Sequence, residues 1–534
     1  MNKQQALPAS PIAERLSDNL AKLSAIGLSN LFKTDPSRHN KLTINGAGLD
    51  LNFSHNLIDV ETISLFSQLF AEKNLSAKIK ALFAGEHVNN TENRPALHCA
   101  IRAAIAGKDA PHGDTIQAGY EKAKALVAKI HHQEFTAING QVITDIVNIG
   151  IGGSYLGPKL ACDALADYDQ NKVNIHFVAN IDPSELADCL AKLAPDTTLF
   201  IISSKSFSTE ETLSNAKTAI SWLGQTRLTQ LFAVTGNEPA ATNLGIPEDH
   251  CLPIWDWIGG RYSIWSNIGL PIMLKIGSEN FEQMLAGAYA MDQHFLASTK
   301  VAENMPLMLA ALEIWHVNFQ SYNSLAVLPY SYRLKMMPDY LQQLTMESNG
   351  KSVNRNGQSI GHATNPVLWG SVGTEGQHSF HQLLHQGTNP VPCDFILPIR
   401  SPTDDDQAQL KLVANCLAQR RALLSGKSLT DVATELLSNG ADSKTAADLA
   451  PHKTTSGNRP SNLITLDKVT PQSLGAIVAL YEHKTYACSV LWNINPFDQW
   501  GVELGKKIGE GFNEQLQQDQ TELETAIKTI DNPN

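Results

Sequence analysis

The sequence has few cysteines, and none of them forms a recognisable metal or disulfide motif. Seven cysteines are spread over 534 residues, at positions 99, 162, 189, 251, 393, 416 and 488. Their number is odd and no C-x-x-C pair occurs, which argues against a disulfide framework and against a zinc knuckle. We therefore expect a protein of a reducing compartment, and place it in the cytoplasm.

Positive charge and long apolar runs are also scarce. Lys and Arg number 41 against 53 Asp and Glu, which gives a formal net charge of −12. No basic stripe is present, which disfavours a nucleic-acid partner because phosphate backbones require clustered cations. The sequence has no 18-residue apolar run, so we predict no membrane-spanning helix. It also has no N-terminal apolar segment, so we predict no signal peptide. Hydrophobic residues still make up 43% of the chain, which is enough for a sizeable core.

Short apolar runs alternate with helical patterns from about residue 141 onward. This alternation predicts βαβ units and parallel sheets, in two α/β halves. Residues before about 115 have mainly helical spacing, and residues 503–534 are polar and helix-prone. The predicted strands are Val142–Ile149, Val173–Ala179, Thr198–Ser203, Leu231–Val234, Leu325–Pro329, Val391–Pro398 and Asn462–Leu466.

A glycine-rich segment, Gly150–Ser154, follows the first predicted strand and is called the glycine loop below. Its glycines allow a tight turn and a close approach to a ligand, and Gly153 and Ser154 would begin a helix, whose N-terminus attracts anions. A dinucleotide fingerprint is disfavoured because Tyr155 occupies the third glycine position, and no G-K-[ST] completes a phosphate-binding P-loop. A small polar ligand and a purely structural turn both remain open.

A second segment, Ser203–Thr212, is rich in hydroxyl groups and is called the hydroxyl loop below. Ser208 and Glu211 fit a capping box, so one interpretation is only the start of a helix. An ordinary cap needs one hydroxyl, and the surplus of donors beside a lysine favours a phosphomonoester site at a helix N-terminus. The candidate phosphate-binding side chains are Ser204, Lys205, Ser206, Thr209 and Thr212.

A helix predicted over Met337–Gly350 carries a candidate general base. Gln343 and Glu347 lie four residues apart and therefore share a face. Glu347 falls in the last turn, where the negative end of the helix dipole disfavours carboxylate charge, which suits a group that accepts a proton. The alternative is an ordinary surface pair between Glu347 and Lys351.

Histidines and cations complete the set of candidate residues. His378, His381 and His385 share one helical face, but no H-E-x-x-H accompanies them, and we predict no metal site. Arg261 follows a Gly-Gly turn, where pairing with Asp256 would be the simplest role. Near the C-terminus, the remaining candidates are Gln499 and Lys506.

Taken together and in this order, these segments resemble the glucose-6-phosphate isomerase (phosphoglucose isomerase) family over nearly the whole chain. The resemblance implies two sugar-isomerase (SIS) domains, each a five-stranded parallel sheet in a flavodoxin-like three-layer sandwich flanked by helices. It also implies a helical N-terminal region, 1–115, a small domain, 116–280, a large domain, 281–505, and a C-terminal helical arm, 506–534. The matching segments are Leu31–Arg38, Thr91–His98, Ile149–Pro158, Ser204–Thr212, Asp256–Ser263, Gln343–Lys351, Gly373–His378 and Phe497–Lys506.

The resemblance also implies a role for each candidate residue. Glu347 would shuttle a proton between C1 and C2, Arg261 would steady the enediolate charge, and His378 and Lys506 would open the sugar ring. A homodimer is implied, with His378 supplied by the neighbouring subunit. No metal or cofactor is implied. The residues implied to bind substrate are Gly153, Ser154, Ser204, Lys205, Ser206, Thr209, Thr212, Gln343 and Gln499.

The implied reaction is the reversible isomerisation of glucose 6-phosphate and fructose 6-phosphate, a step of glycolysis and gluconeogenesis, through a cis-enediol. Three departures from the family pattern are Tyr155, Ser206 in place of a frequent Thr, and His381 in place of a usual aromatic residue. A non-catalytic SIS-type sugar-phosphate sensor is the alternative, and it would need neither Glu347 nor Arg261. A nucleotide-dependent oxidoreductase is disfavoured by the glycine loop.

Overall fold

The computed structural model describes residue 7 and residues 10–403 and 405–519. The chain divides into two compact units, Met1–Pro496 and Phe497–Asn534, each described separately. Most of the predicted C-terminal arm, residues 520–534, lies outside the described residues. The boundaries predicted at residues 116, 281 and 506 stay predictions.

Eleven strands form two sheets within the described part of the first unit. In chain order they are β1 Thr43–Gly46, β2 Leu49–His55, β3 Asp145–Ile149, β4 Asn174–Val178, β5 Thr198–Ser203, β6 Leu231–Thr235, β7 Cys251–Pro253, β8 Ser324–Pro329, β9 Val367–Gly370, β10 Cys393–Pro398 and β11 Ser461–Leu466.

The first sheet is fully parallel and has five strands in the order β4-β3-β5-β6-β7. In chain order this is the 2-1-3-4-5 arrangement of flavodoxin-like folds, which confirms the predicted fold class. The central strands β5 and β6 are buried at every residue, as expected for parallel strands covered by helices on both faces. From β3 the chain first forms β4 on one side of β3, and it then returns to form β5 on the other side. The switch point therefore lies between β3 and β5.

The second sheet repeats this order with one change. Its four parallel strands run β11-β10-β8-β9, and β2 and β1 extend it as antiparallel strands into a sheet of six. The expected five parallel strands are therefore wrong for this half. In place of a fifth parallel strand, β11 pairs with β2 from the region predicted to be helical.

The hairpin of β1 and β2 has clear physical causes. Leu49, Leu51 and Phe53 are buried on one face, whereas on the other face Asp50 is exposed and Asn52 and Ser54 are buried, so the strand is covered on both faces beyond Asp50. Ala47 and Gly48 both take positive φ values, 50° and 76°, as a two-residue type I′ hairpin turn requires.

Helices of the first unit cover both sheets, and the second unit contributes one further helix to the described residues. They are α1 Pro11–Ile26, α2 Leu28–Thr34, α3 Arg38–Lys41, α4 Val60–Glu72, α5 Leu75–Phe83, α6 His98–Ile105, α7 Gly113–His131, α8 Leu156–Ala164, α9 Pro183–Leu190, α10 Glu210–Leu223, α11 Glu238–Asn243, α12 Leu270–Ile276, α13 Ser278–Ala297, α14 Met305–Ile314, α15 Met337–Leu341, α16 Gly373–Gln377, α17 His381–Gln386, α18 Asp406–Ser425, α19 Leu429–Ser438, α20 Ser443–Lys453, α21 Pro471–Trp492 and, in the second unit, α22 Glu503–Asp519.

A buried ionic cluster holds three of these helices together. Arg102 of α6 pairs with Asp292 of α13 at 2.6 Å and with Glu482 of α21. The other carboxylate oxygen of Glu482 accepts a 2.8 Å bond from Trp265 Nε1, and His483 lies 2.7 Å from Asp292. Because every charge in the cluster has a partner, burial of these groups is tolerated.

Within the described residues, no helix has both the length and the apolar character needed to cross a bilayer.

Candidate active site

The glycine loop lies at the carboxyl end of β3, beside the switch point of the first sheet. Gly152 takes a φ of 58°, and residues Gly152–Ser154 form a single 3₁₀ turn before α8. A Cβ added to Gly153 would lie 2.0 Å from the carbonyl oxygen of Gly260. Gly153 is therefore required for the close packing of this loop against the 3₁₀ helix Gly260–Trp265, which carries Arg261.

The hydroxyl loop follows β5 on the other side of the switch point. Phe207 is buried and takes a φ of 52°, which turns the chain within the loop. Helix α10 consequently begins at Glu210 with Thr209 as its N-cap, and the side chain of Thr209 makes no capping bond. The capping box predicted at Ser208 is wrong, since the Ser208 hydroxyl donates to Ser206 Oγ at 2.8 Å.

Hydroxyl groups and a lysine converge in this loop. Ser204 Oγ and Thr209 Oγ1 are 3.3 Å apart, and Thr212 is buried in the first turn of α10. Lys205 Nζ donates to the carbonyl oxygen of Ile258 at 3.1 Å. Burial, reinforced by the nearby Arg94 guanidinium, lowers the pKa of Lys205. The N-terminus of helix α10, with the cation Lys205 on the loop before it, is an arrangement that accommodates an anion.

Arg261 lies three residues beyond this contact and faces Glu347. Its Nη1 is 3.5 Å from Glu347 Oε2, and the side chains of Arg261 and Glu347 are 1% and 24% exposed. The Asp256 carbonyl accepts a bond from Arg94, and Lys351 Nζ donates to the main-chain carbonyls of residues 347 and 348.

The segment that carries Glu347 is not a regular α-helix. After α15, residues Gln342–Glu347 form a π-helix, a conformation that occurs often at functional sites. Gln343 reaches the glycine loop, since a Cβ on Gly152 would be 3.0 Å from Gln343 Nε2. The Oε1 atom of Gln343 is buried without a hydrogen-bond partner, and such an atom requires an explanation, of which a bound polar ligand is one.

The predicted site residues thus fall into two groups. In the first unit, contacts connect the glycine loop, the hydroxyl loop, Arg261, Gln343 and Glu347. His378 is exposed and follows α16, and no contact between it and Glu347 is recorded in the described part of the chain. Gln499 and Lys506 belong to the second unit, so their relation to Glu347 stays a prediction.

The histidines do not form a metal site. His381 Nδ1 and His385 Nε2 both lie within 3.2 Å of Gln419 Oε1. Over residues 10–403 and 405–519, the single group of three ligand-type residues close enough for an ion is the buried set Cys99, Asp292 and His483. Arg102 donates to both Cys99 Sγ and Asp292, so a cation already occupies that environment.

Sequence reasoning missed two buried groups that contact Arg261. Ser348 Oγ accepts from Arg261 Nε at 2.6 Å, and the Tyr262 hydroxyl lies 3.0 Å from Ser348 Oγ. Both residues adjoin predicted site residues in the chain. Their burial, which could have indicated a role, is visible only in three dimensions.

The fold and this arrangement define a doubly wound α/β protein whose candidate site residues lie at the switch point of its first sheet. The candidate site combines a lysine- and hydroxyl-rich loop with a partly exposed carboxylate that faces a buried arginine.

Comparison with known proteins gives the family. The phosphoglucose isomerase model matches residues 52–529, and the chain belongs to that family. It is 46% identical to the glucose-6-phosphate isomerase of Pseudomonas fluorescens strain Pf0-1, over 97% of this chain and 95% of the relative. It is also 46% identical to the glucose-6-phosphate isomerase of Saccharophagus degradans, over 95% of this chain and 91% of the relative. The crystal structure of a glucose-6-phosphate isomerase from Chlamydia trachomatis superposes with a TM-score of 0.84 at 30% identity, covering 96% of this chain and 97% of the other.

Proposed function

We propose that this protein catalyses the reversible isomerisation of glucose 6-phosphate and fructose 6-phosphate. The observation that carries the proposal is the pair of Arg261 and Glu347, 3.5 Å apart, where Arg261 lies three residues after Ile258, whose carbonyl oxygen accepts a bond from Lys205 of the hydroxyl loop. Membership of the family supports it, and the curated relatives are named for this activity. No observation favours a non-catalytic sugar-phosphate sensor.

The hydroxyl loop binds the phosphate end of the sugar in this proposal. Lys205 supplies a compact positive charge, and the first turn of α10 supplies main-chain N–H groups and the positive end of the helix dipole. The phosphate is remote from the reacting carbons, so its binding energy serves to orient C1 and C2. The remaining phosphate-end groups of the proposal are Gly153, Ser154, Ser204, Ser206, Thr209 and Thr212.

Glu347 acts as the base that moves the proton. In the open-chain aldose, it removes the proton from C2, the electrons of the C–H bond form the C1=C2 double bond, and the π electrons of the C1 carbonyl move to O1, which gives the cis-enediolate. The O2 proton then passes to O1, the O2 electrons form the C2 carbonyl, and return of the carbon-bound proton to C1 gives the ketose; the reverse sequence restores the aldose. A carboxylate suits this shuttle because its side chain is partly accessible while its partner Arg261 is buried.

Arg261 stabilises the negative charge that develops on the substrate oxygens. A fixed cation in a site with little water acts without having to reorganise during the reaction. Gln343, whose Oε1 has no protein partner, contacts the sugar hydroxyls, and Gln499 adds a second amide from the other unit.

Ring opening must precede proton transfer, and we assign it to His378 and Lys506. His378 is exposed and directly follows α16, and this accessibility supports its donation to the site of a neighbouring subunit. We therefore propose a homodimer in the cytoplasm, with each active site completed across the subunit interface.

The function is tested by following the conversion of fructose 6-phosphate to glucose 6-phosphate in a coupled assay, with a metal chelator present. We expect full activity with the chelator, and no conversion of fructose lacking the phosphate. Failure to convert fructose 6-phosphate at any enzyme concentration would contradict the proposal.

The shared site is tested by subunit mixing. Glu347→Gln and His378→Ala are each expected to be inactive. After the two variants are unfolded together and refolded, mixed dimers contain one intact site, and about a quarter of the wild-type rate should return. If His378 acts on Glu347 of its own chain, no activity returns, while the two variants refolded separately serve as controls.

A further inference from the structure

The hydroxyl group of Ser348, directly after Glu347, lies against the arginine of the site. Ser348 is 0% exposed, and its Oγ is 2.6 Å from Arg261 Nε. An arginine Nε–H can only donate, so Ser348 Oγ accepts this bond. The second neighbour of the same oxygen is the hydroxyl of Tyr262, at 3.0 Å.

Tyr262 is itself held in place. Its ring is 2% exposed and stacks on His98 with ring centroids 4.7 Å apart. Burial raises the pKa of Tyr262 to about 12, so the phenol keeps its proton and remains available for the bond to Ser348. The contacts therefore run from an aromatic stack to a phenol, and from the phenol to both the serine hydroxyl and the guanidinium of Arg261.

The orientation of Arg261 is held by bonds on its planar fork, of which two go to fixed oxygens. Nε is bonded to Ser348, and Nη2 donates to the carbonyl oxygen of Pro496 at 2.6 Å. Two fixed bonds on one plane determine where the remaining nitrogen points. That nitrogen, Nη1, lies 3.5 Å from Glu347, which is within ion-pair range but too far for a normal hydrogen bond.

We propose that Ser348, held by Tyr262, is a positioning residue that keeps Arg261 aimed at the reacting oxygens and prevents it from closing onto Glu347. This inference rests on the proposed function. Ser348 touches no substrate atom in it and acts only through Arg261. The base Glu347 and Ser348, which sets the distance between Glu347 and Arg261, are consecutive residues, so one segment positions both.

Removal of the hydroxyl has a defined consequence. In Ser348→Ala, Arg261 Nε loses its acceptor in a buried place, and an unsatisfied charged donor seeks another oxygen. Glu347 is a carboxylate already within 3.5 Å of Arg261, and a closer pair would occupy both the base and the cation. Because a displacement of about 1 Å can lower a rate by about 100-fold, we expect kcat to fall about 10- to 100-fold, with KM changed less than about twofold.

The test separates positioning from mere folding by the use of two ligands. Glucitol 6-phosphate carries the phosphate and the chain but no carbonyl. A hydroxamic acid of the corresponding phosphorylated sugar acid mimics the planar, anionic enediolate. Titration calorimetry with Ser348→Ala is expected to show unchanged affinity for glucitol 6-phosphate and at least about tenfold weaker affinity for the hydroxamate.

Two further variants keep the test decisive. Tyr262→Phe retains Ser348 and the stacked ring, and we expect a drop of about three- to tenfold in kcat and in hydroxamate affinity. Ser489→Ala is the matched control, because that buried hydroxyl bonds only to the carbonyl oxygen of Tyr486 on α21. Its kcat and both affinities should equal those of the wild type.

Selective loss of kcat and hydroxamate binding in Ser348→Ala supports the inference, and if that variant does not fold, Tyr262→Phe decides alone. Unchanged kcat, or equal weakening of both ligands, overturns it. The two titrations require no turnover, so an absence of isomerase activity in the wild type would refute the proposed function and would be recognised separately.

Discussion

Two buried arginines in this molecule carry the same charge in different surroundings. Arg102 has a side chain that is 0% exposed, and its partners Asp292 and Glu482 are 1% and 0% exposed. Arg261 is equally buried at 1%, but its carboxylate partner Glu347 is 24% exposed and lies at the longer distance of 3.5 Å. The two arginines are therefore equally buried, but Glu347 is partly accessible whereas Asp292 and Glu482 are not.

The difference indicates what each arginine is for. Around Arg102, the carboxylates are also bonded to Trp265 and His483, so each anion has protein partners and the cluster links three helices. Around Arg261, Nε and Nη2 are bonded to protein oxygens, and Nη1 lies 3.5 Å from a carboxylate that solvent or a ligand can reach. A closed cluster contributes to stability, and an open one is prepared for chemistry.

Replacing the open carboxylate should give the largest effect. Glu347→Gln keeps the shape of the side chain but cannot accept the proton, so we expect kcat to fall by about 10⁴-fold, the upper range for a positioned base. Affinity for glucitol 6-phosphate and the thermal midpoint of unfolding should change little, since Arg261 retains Ser348 and the Pro496 carbonyl as partners. Steady-state kinetics and calorimetry measure both.

Glu282→Gln is the matched control for that variant. Glu282 also pairs with a cation, Lys124, at 2.7 Å and is 37% exposed, but it lies on α13 away from the candidate site. Its kcat should remain that of the wild type. Near-normal turnover by Glu347→Gln would refute the role of the base and remove the contrast between the two arginines.

Much of the fold could be predicted from the sequence because strand and helix periods are local properties. The runs before the glycine loop and the hydroxyl loop became β3 and β5, with the loops at the carboxyl ends where ligands bind in such sheets. The hairpin of β1 and β2 was missed, although the alternation of Leu49, Asp50 and Leu51 is a strand pattern. Its pairing with β11 joins residues about 400 positions apart, and no local pattern indicates such a partner.

The site was predictable in its residues but not in its geometry. Glu347 and Arg261 belong to recognisable segments, yet their separation depends on a π-helix and on a contact between two halves of the chain. Gly153 was interpreted as part of an anion site, which stays a prediction, and the structure adds a second reason for a glycine there, since it makes room for Gly260. Ser348 and Tyr262 gave no signal of their own, because a serine and a tyrosine are ordinary until their burial is known.

Breaking the closed cluster should produce the opposite phenotype. Arg102→Met leaves Asp292 and Glu482 buried without their cation, and such a loss typically lowers the free energy of unfolding by about 3–5 kcal/mol. The kcat of the folded fraction should stay within about twofold of the wild type, because no substrate group is involved. Chemical denaturation followed by circular dichroism measures the first, and assays at low temperature measure the second.

A surface pair provides the control for this experiment. Arg227 and Asp196 are paired but 29% and 42% exposed, so Arg227→Met should lower the free energy of unfolding by no more than about 1 kcal/mol. If Arg102→Met is as stable as Arg227→Met, the buried cluster does not stabilise the fold in the way that its geometry indicates.

The smallest expected effect concerns Lys205, the cation of the hydroxyl loop, which is proposed to bind the phosphate. Lys205→Ala removes one charge-assisted bond, so KM for fructose 6-phosphate should rise about 10-fold or somewhat more, with kcat nearly unchanged.

Burial and the nearby Arg94 lower the pKa of Lys205, so its proton is lost at a lower pH than that of an exposed lysine. The wild-type KM should therefore rise with alkaline pH, and Lys205→Ala should lack this rise. Lys217→Ala, on the exposed face of α10, should retain it. If KM is the same in Lys205→Ala as in the wild type, the hydroxyl loop does not bind the substrate phosphate.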